Sequence, residues 1–178
     1  FTASLVAKDR CSSLTIRLGV SPMKGIDYIL GYILSVIPLI LIQNILFFIA
    51  AIMFGLKFNI NIIYTILSVI PISILFILFG ILIGTITTEK SSSGISSIIV
   101  QLVAFTSGMY FTTDMVGSTF STICHILPFE SALNITKDIL NSNYNNILSS
   151  ILIVGIYTVI VIILTIILFK RKMISDNK

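Results

Sequence analysis

Four long apolar blocks limit what this chain can become. They run over about 28–54, 60–86, 95–111 and 147–169, close to the roughly 17 to 25 residues that carry an α-helix across a bilayer. The last block holds seventeen Ile, Leu, Val or Phe residues. At roughly −0.3 to −0.6 kcal/mol each near the bilayer centre, they favour insertion by about 5 to 10 kcal/mol. Isoleucine also suits strands, but strands rarely exceed about ten residues. The blocks also lack the apolar–polar alternation of a membrane barrel. Charged residues are 10% of the 178, against about 25% in soluble domains. The sequence therefore predicts an all-α, polytopic membrane protein with four transmembrane helices.

The basic residues orient those helices. Lys8, Arg10, Arg17 and Lys24 precede the first block, Lys90 lies between the second and third, and Lys170, Arg171, Lys172 and Lys178 follow the fourth. Four crossings put these nine on one side and leave Lys57 and Lys137 on the other. The positive-inside rule then places both ends in the cytoplasm, and the cytoplasmic membrane is the expected location. The net charge of +4 is thus an orientation signal. No stripe of base-stacking aromatics accompanies it, so nucleic acid is not an expected partner.

Between the blocks lie segments of distinct character. "FTASLVA" resembles the tail of a helix already under way, and no signal peptide is visible, so the chain is expected to be part of a longer protein. Residues 1–25 form a lead-in that Ser21-Pro22 interrupts. It reads as a solvated juxtamembrane loop or as a short amphipathic helix that docks on a partner. The first span contains Pro38 and the adjacent Gln43 and Asn44, which are pathway or helix-packing candidates together with Gln101 of the third span. Side by side in a helix, Gln43 and Asn44 point about 100° apart, so at least one is expected to face protein. Gly80 and Gly84 share a face of the second span, a small-residue packing pattern. Beyond the third span, about 112–141 is too long for a turn and too apolar for a free loop. Met115–Leu127 and Glu130–Leu140 are expected as two half-length helices meeting at Pro128, a re-entrant external pair buried in protein. Residues 170–178 form a basic cytoplasmic tail.

Conventional catalytic chemistry finds little support. "GTITTEKS" from Gly84 loosely matches a nucleotide-binding loop, but Glu89 stands where the second glycine belongs and a carboxylate would repel phosphate. His125, the only histidine, and Glu130 are five residues apart around Pro128, so they are not expected to meet. No metalloprotease or nucleophile motif is present. Cys11 and Cys124 fall on opposite faces of the membrane and make neither a disulfide nor a metal site. No residue is assigned to catalysis, to a cofactor or to a metal. Asn134-Ile135-Thr136 is formally a glycosylation sequon. Ion-coupled carriers usually place ionisable groups inside the membrane, and the apolar blocks carry none. A secondary transporter is therefore disfavoured, whereas a non-transporting scaffold or assembly protein remains an alternative.

Over its whole length the chain resembles the permeases of type-2 ABC exporters. "KDRCSSLTIRLGVSPMKGIDYILGY", Lys8 to Tyr32, is similar to the family's cytoplasmic coupling segment. The acidic/basic pair falls on Asp9 and Arg10, the Arg-Leu of a short helix on Arg17 and Leu18, the small-Pro step on Ser21 and Pro22, and the span-entry glycine on Gly31. Ser107-Gly108 matches the "SG" leaving the family's fifth span, and Leu127-Pro128 the "LP" of its external helix pair. Cys11, Ser12 and Ser13 depart from the pattern, and Tyr32 stands where a lysine is common. The resemblance implies a six-span subunit of which this chain holds the last four spans, working with a second permease copy, homo- or heterodimeric. It also implies a cytoplasmic ATP-binding subunit that holds ATP and Mg and does the hydrolysis, so the chain itself is not expected to be an enzyme. Coupling would fall to Asp9, Arg10, Arg17, Leu18 and Pro22. The external gate would fall to Gly108, Met109, Tyr110, Phe111, Leu127, Pro128 and Phe129. A charge-poor interior suits an amphiphilic cargo, such as a drug, antibiotic or lipid-like molecule.

Overall fold

The computed structural model describes residues 1–10, 25–110, 117–144 and 146–176. Every regular element among them is helical: α1 (Thr2–Arg10), α2 (Gly25–Met53), α3 (Asn61–Ile86), α4 (Glu89–Thr106), α5 (Ser118–Ile126), α6 (Pro128–Leu140) and α7 (Ile147–Asp176). Three are long and apolar enough to cross a membrane: α2, α3 and the stretch Ile147–Phe169 of α7. They coincide with three of the four blocks read from the sequence. Much of their side-chain surface is uncovered, including Leu34, Ile42, Leu46, Leu148, Ile156 and Ile163. Water would penalise such faces and lipid would not.

Several polar side chains in these helices bond to their own backbone, as an apolar solvent favours. Thr65 donates to the Asn61 carbonyl and Thr165 to that of Val161, each at 2.7 Å. Asn44 gives its amide to the Ile40 carbonyl at 2.9 Å. After α2 the chain turns through a Schellman motif, with Leu56 N–H donating to the Ala51 carbonyl and Gly55 N–H to that of Ile52, both at 3.0 Å.

The remaining block, 95–111, does not coincide with its helix. α4 starts earlier, at Glu89, because Thr88 caps it: Ser91 Oγ accepts the Thr88 N–H at 3.2 Å, the reciprocal half of a capping box with serine in place of glutamate. It also ends earlier, at Thr106, where Gly108 takes φ +73° just beyond the last turn. The helix spans 18 residues, about 27 Å, with a polar first third, and it falls outside the three apolar enough to cross.

Two short helices, α5 and α6, stand on either side of Leu127; Met115 and Val116 of the first expected element lie outside the described residues, and the second starts at Pro128 rather than Glu130. Pro128 is the first residue of α6, where its missing N–H costs nothing and its fixed φ suits the helix. α6 closes on a second Schellman turn, with Asn143 N–H to the Asp138 carbonyl at 2.8 Å and Ser142 at φ 59°.

The chain divides into two compact units. The first takes Phe1–Val36, Ile74–Ile99 and Thr158–Lys178, and the second Ile37–Ser73 and Val100–Tyr157. In the first, Ala3, Val6, Ile29, Leu75, Leu78 and Ile81 are buried. In the second, Phe48, Ile62, Cys124, Ile135 and Val154 are.

Candidate functional site

Of the coupling residues read from the sequence, Asp9 and Arg10 are described, whereas Arg17, Leu18 and Pro22 lie outside the described residues. Asp9 and Arg10 form the end of α1, which lies in the first unit against α3. Gly80 and Gly84 make that contact possible. A Cβ on Gly84 would stand 2.6 Å from the Ala3 carbonyl oxygen and 2.7 Å from Val6 Cβ, and one on Gly80 would stand 2.8 Å from Thr2 Cβ. The small-residue face seen in the sequence is thus the seat of α1, and Thr2, Ala3 and Val6 fill it.

Close packing brings the two charged residues onto different helices. The Arg10 guanidinium donates to the carbonyls of Gly84 (3.3 Å), Thr85 and Thr87 (3.5 Å). These lie at the end of α3, where helix geometry leaves carbonyls unpaired and the dipole presents its negative pole. All three contacts come from the single nitrogen Nη1, which carries two N–H groups, so the carbonyls share its donors and its positive charge. Asp9 accepts a hydrogen bond from the Tyr32 hydroxyl on α2 at 2.5 Å. Tyr28 donates to Tyr32 at 3.1 Å, and its ring stacks on Phe169 of α7 with centroids 4.3 Å apart. A chain of contacts therefore runs from Asp9 through two phenols to α7, while Arg10 grips α3.

Tyr28, Tyr32 and Phe169 were missed as site residues. Their signal was present: two tyrosines four apart share a helix face, near the end of a span where amphipathic rings collect. Tyr32, read as a departure from the family pattern, is the residue that holds Asp9.

The gate candidates lie in the second unit, apart from Phe111, which is outside the described residues. Met109 and Tyr110 are exposed, and the Tyr110 ring packs on Phe105 at 5.6 Å. Leu127, Pro128 and Phe129 form the corner between α5 and α6, with Pro128 fully buried. Tyr157 of α7 donates to the Ile126 carbonyl at 2.9 Å and so braces this corner. The described contacts thus tie Tyr110 to α4 and the corner to α7.

One expectation is overturned at this corner. His125 and Glu130, not expected to meet, are in contact: His125 Nδ1 lies 3.1 Å from Glu130 Oε2. On one continuous helix, five positions turn the side chains about 140° apart. Here Leu127 breaks the helix with extended backbone (φ −73°, ψ 147°), and the last turn of α5 folds against the first turn of α6. Ser121 Oγ lies 3.1 Å from the other ring nitrogen.

The polar candidates divide by exposure. Gln43 and Gln101 are exposed and Asn44 is half-buried. Asn44 gives one N–H to its own helix, which leaves its second N–H and its carbonyl oxygen for another partner.

A family model described as ABC-2 family transporter protein matches residues 1–167 of the chain. No curated protein and no solved structure matches it.

Proposed function

The chain belongs to the ABC-2 transporter family, and from that premise we propose that it is the membrane-spanning permease subunit of an ATP-driven exporter. ATP and Mg would be held by a cytoplasmic ATP-binding subunit, with a second permease copy completing the pathway through the lipid bilayer. The cargo would be amphiphilic, in keeping with long apolar helices that carry a few uncharged polar groups, Gln43, Asn44 and Gln101.

The observation that carries this reading is the double anchorage at the end of α1. Asp9 and Arg10 stand at the point where the chain leaves for residues 11–24, and they are bonded to α2 and α3. Force applied to that segment by a nucleotide-driven partner would pass into two long helices through short, directional bonds. The basic residues support four crossings with both ends cytoplasmic: if α4 failed to cross, Lys170–Lys172 would face away from Lys8 and Arg10. The polar first third of α4 would then sit in the cytoplasmic headgroup layer. The α5–α6 pair would lie at the external face as a re-entrant corner, with Met109, Tyr110 and Leu127–Phe129 at the gate.

The test is Arg17→Glu in the complete transporter, reconstituted with its ATP-binding subunit. The expected result is normal membrane insertion and ATP hydrolysis no longer linked to export. Transport at the unsubstituted rate would overturn the coupling role of this segment. Absence of any ATPase stimulation by the unsubstituted permease would overturn the exporter reading in favour of a scaffold.

A further inference from the structure

The α5–α6 corner holds a titratable pair that takes no part in the anchorage at α1. His125 is in the last turn of α5 and Glu130 in the first turn of α6. A helix C-terminus favours a cation and a helix N-terminus favours an anion, so both helix ends favour the charged pair. Four residues, Ile126 to Phe129, separate the two along the chain. Glu130 is 14% exposed, and its Oε2, 3.1 Å from His125 Nδ1, is buried without a hydrogen-bond partner. A carboxylate in such a place depends strongly on its one counter-charge.

The histidine side is built differently. Its side chain is 58% exposed, so protons from solvent reach it. Ser121 Oγ beside the second ring nitrogen can accept from an imidazolium or donate to a neutral ring, and so accommodates either state. Histidine is the side chain whose ordinary charge change falls between about pH 5 and 8. Among the described residues, Glu130 from α6 and Ser121 on α5 stand against the ring; nearby, the Cys124 thiol is buried on α5 and the Tyr157 hydroxyl of α7 is engaged with the Ile126 carbonyl. Lys137 and Asp138 lie about two turns further along α6.

We propose that His125 and Glu130 form a proton-operated staple across the α5–α6 corner. Protonated, His125 draws Glu130 in and holds the two helix ends together. Deprotonated, it leaves the mostly buried carboxylate without that counter-charge, and the corner loosens. The consequence for transport rests on the gate reading given above: acid at the external face would hold the gate element shut, and neutral to alkaline solution would free it.

Hydrogen exchange on the full chain in lipid nanodiscs tests this, following peptides that span 121–133 from about pH 5.5 to 8.5 with rates corrected for intrinsic exchange. Protection there is expected to fall about threefold to tenfold as pH rises, while peptides covering 147–157 of α7 stay constant. Glu130→Gln is expected to give low protection at every pH, and His125→Lys high protection at every pH. A flat profile in the unsubstituted protein, or a persisting pH dependence in Glu130→Gln, would overturn the staple. The unsubstituted profile against its α7 control decides the matter even if a variant folds poorly. Export measured at varied external pH is a separate readout: a pH-dependent corner with pH-independent export would overturn the gate reading and leave the staple standing.

Discussion

Tyr32 on α2 donates a 2.5 Å hydrogen bond to Asp9 on α1, and itself accepts one from Tyr28 at 3.1 Å. The order of this relay predicts unequal costs. Tyr32→Phe removes a donor from a charged acceptor and leaves the Tyr28 hydroxyl without its partner, a loss of about 1.5 to 3 kcal/mol. Tyr28→Phe breaks only the bond between neutral groups, worth about 0.5 to 1.5 kcal/mol, and keeps the stacked ring on Phe169. Thermal unfolding of the two purified variants should show the larger drop for Tyr32→Phe. Equal drops would mean that the Asp9 bond adds nothing to the relay.

Arg10 is the second anchor, and its replacement should be felt at the far end of the contact. Arg10→Gln removes the charge facing the C-terminal carbonyls of α3, with a cost of about 1 to 3 kcal/mol. Arg10→Lys restores the charge on a shorter side chain that does not carry it to the Nη1 position, so it should recover only part of the loss. Hydrogen exchange at Thr87, whose N–H bonds to the Ile83 carbonyl at 3.0 Å, reports the end of α3 directly. Its protection should rank unsubstituted, then Arg10→Lys, then Arg10→Gln.

The seat of α1 gives a graded test of packing. Gly84→Ala places a methyl group 2.6 Å from a backbone oxygen, which cannot rotate away, so α1 must shift, at a cost of about 1 to 3 kcal/mol. Gly80→Ala meets Thr2 Cβ at 2.8 Å and Thr2 Cγ2 at 3.3 Å. Thr2 is the first residue of α1 and yields more easily, so the loss should be smaller. Gly31→Ala meets nothing within 4 Å and should be neutral or slightly stabilising. Melting temperatures in the order Gly31→Ala, Gly80→Ala, Gly84→Ala, highest first, are the expected outcome.

What the sequence disclosed follows from the range of each interaction. Three spans were legible because membrane insertion depends on the summed transfer energy of a local block, and 28–54, 60–86 and 147–169 each carry enough of it alone. The limits of α4 were not, because a hydropathy block starts at Ile95 whereas the helix starts where Thr88 and Ser91 cap it. Gly80 and Gly84 announced a packing face, but periodicity on α3 holds no information about which helix arrives there. The His125–Glu130 pair was misjudged because Pro128 was taken only as separating the two residues. The break lies at Leu127, extended ahead of Pro128, and it brings the two side chains together. Asp9 and Arg10 were found through the family resemblance, whereas the tyrosines that complete their anchorage belong to this chain's own pattern.

Cys124 offers a probe of the same corner from its buried side. The thiol is fully buried on α5, and burial, with a smaller contribution from the Glu130 carboxylate, pushes its pKa above the ordinary thiol value. The thiolate is the reactive form, so a raised value lowers the reactive fraction at neutral pH, and burial also blocks access. In a Cys11→Ser background, maleimide at pH 7.5 should therefore modify Cys124 at least about a hundredfold more slowly than a free cysteine, and denaturant should restore the ordinary rate. Because burial outweighs the carboxylate, Glu130→Gln should accelerate the reaction only modestly unless it also opens the corner. A large acceleration in that variant would therefore report loss of the helix–helix contact around Leu127 and Pro128. Rapid modification of the unsubstituted protein would mean that α5 does not bury this face at all.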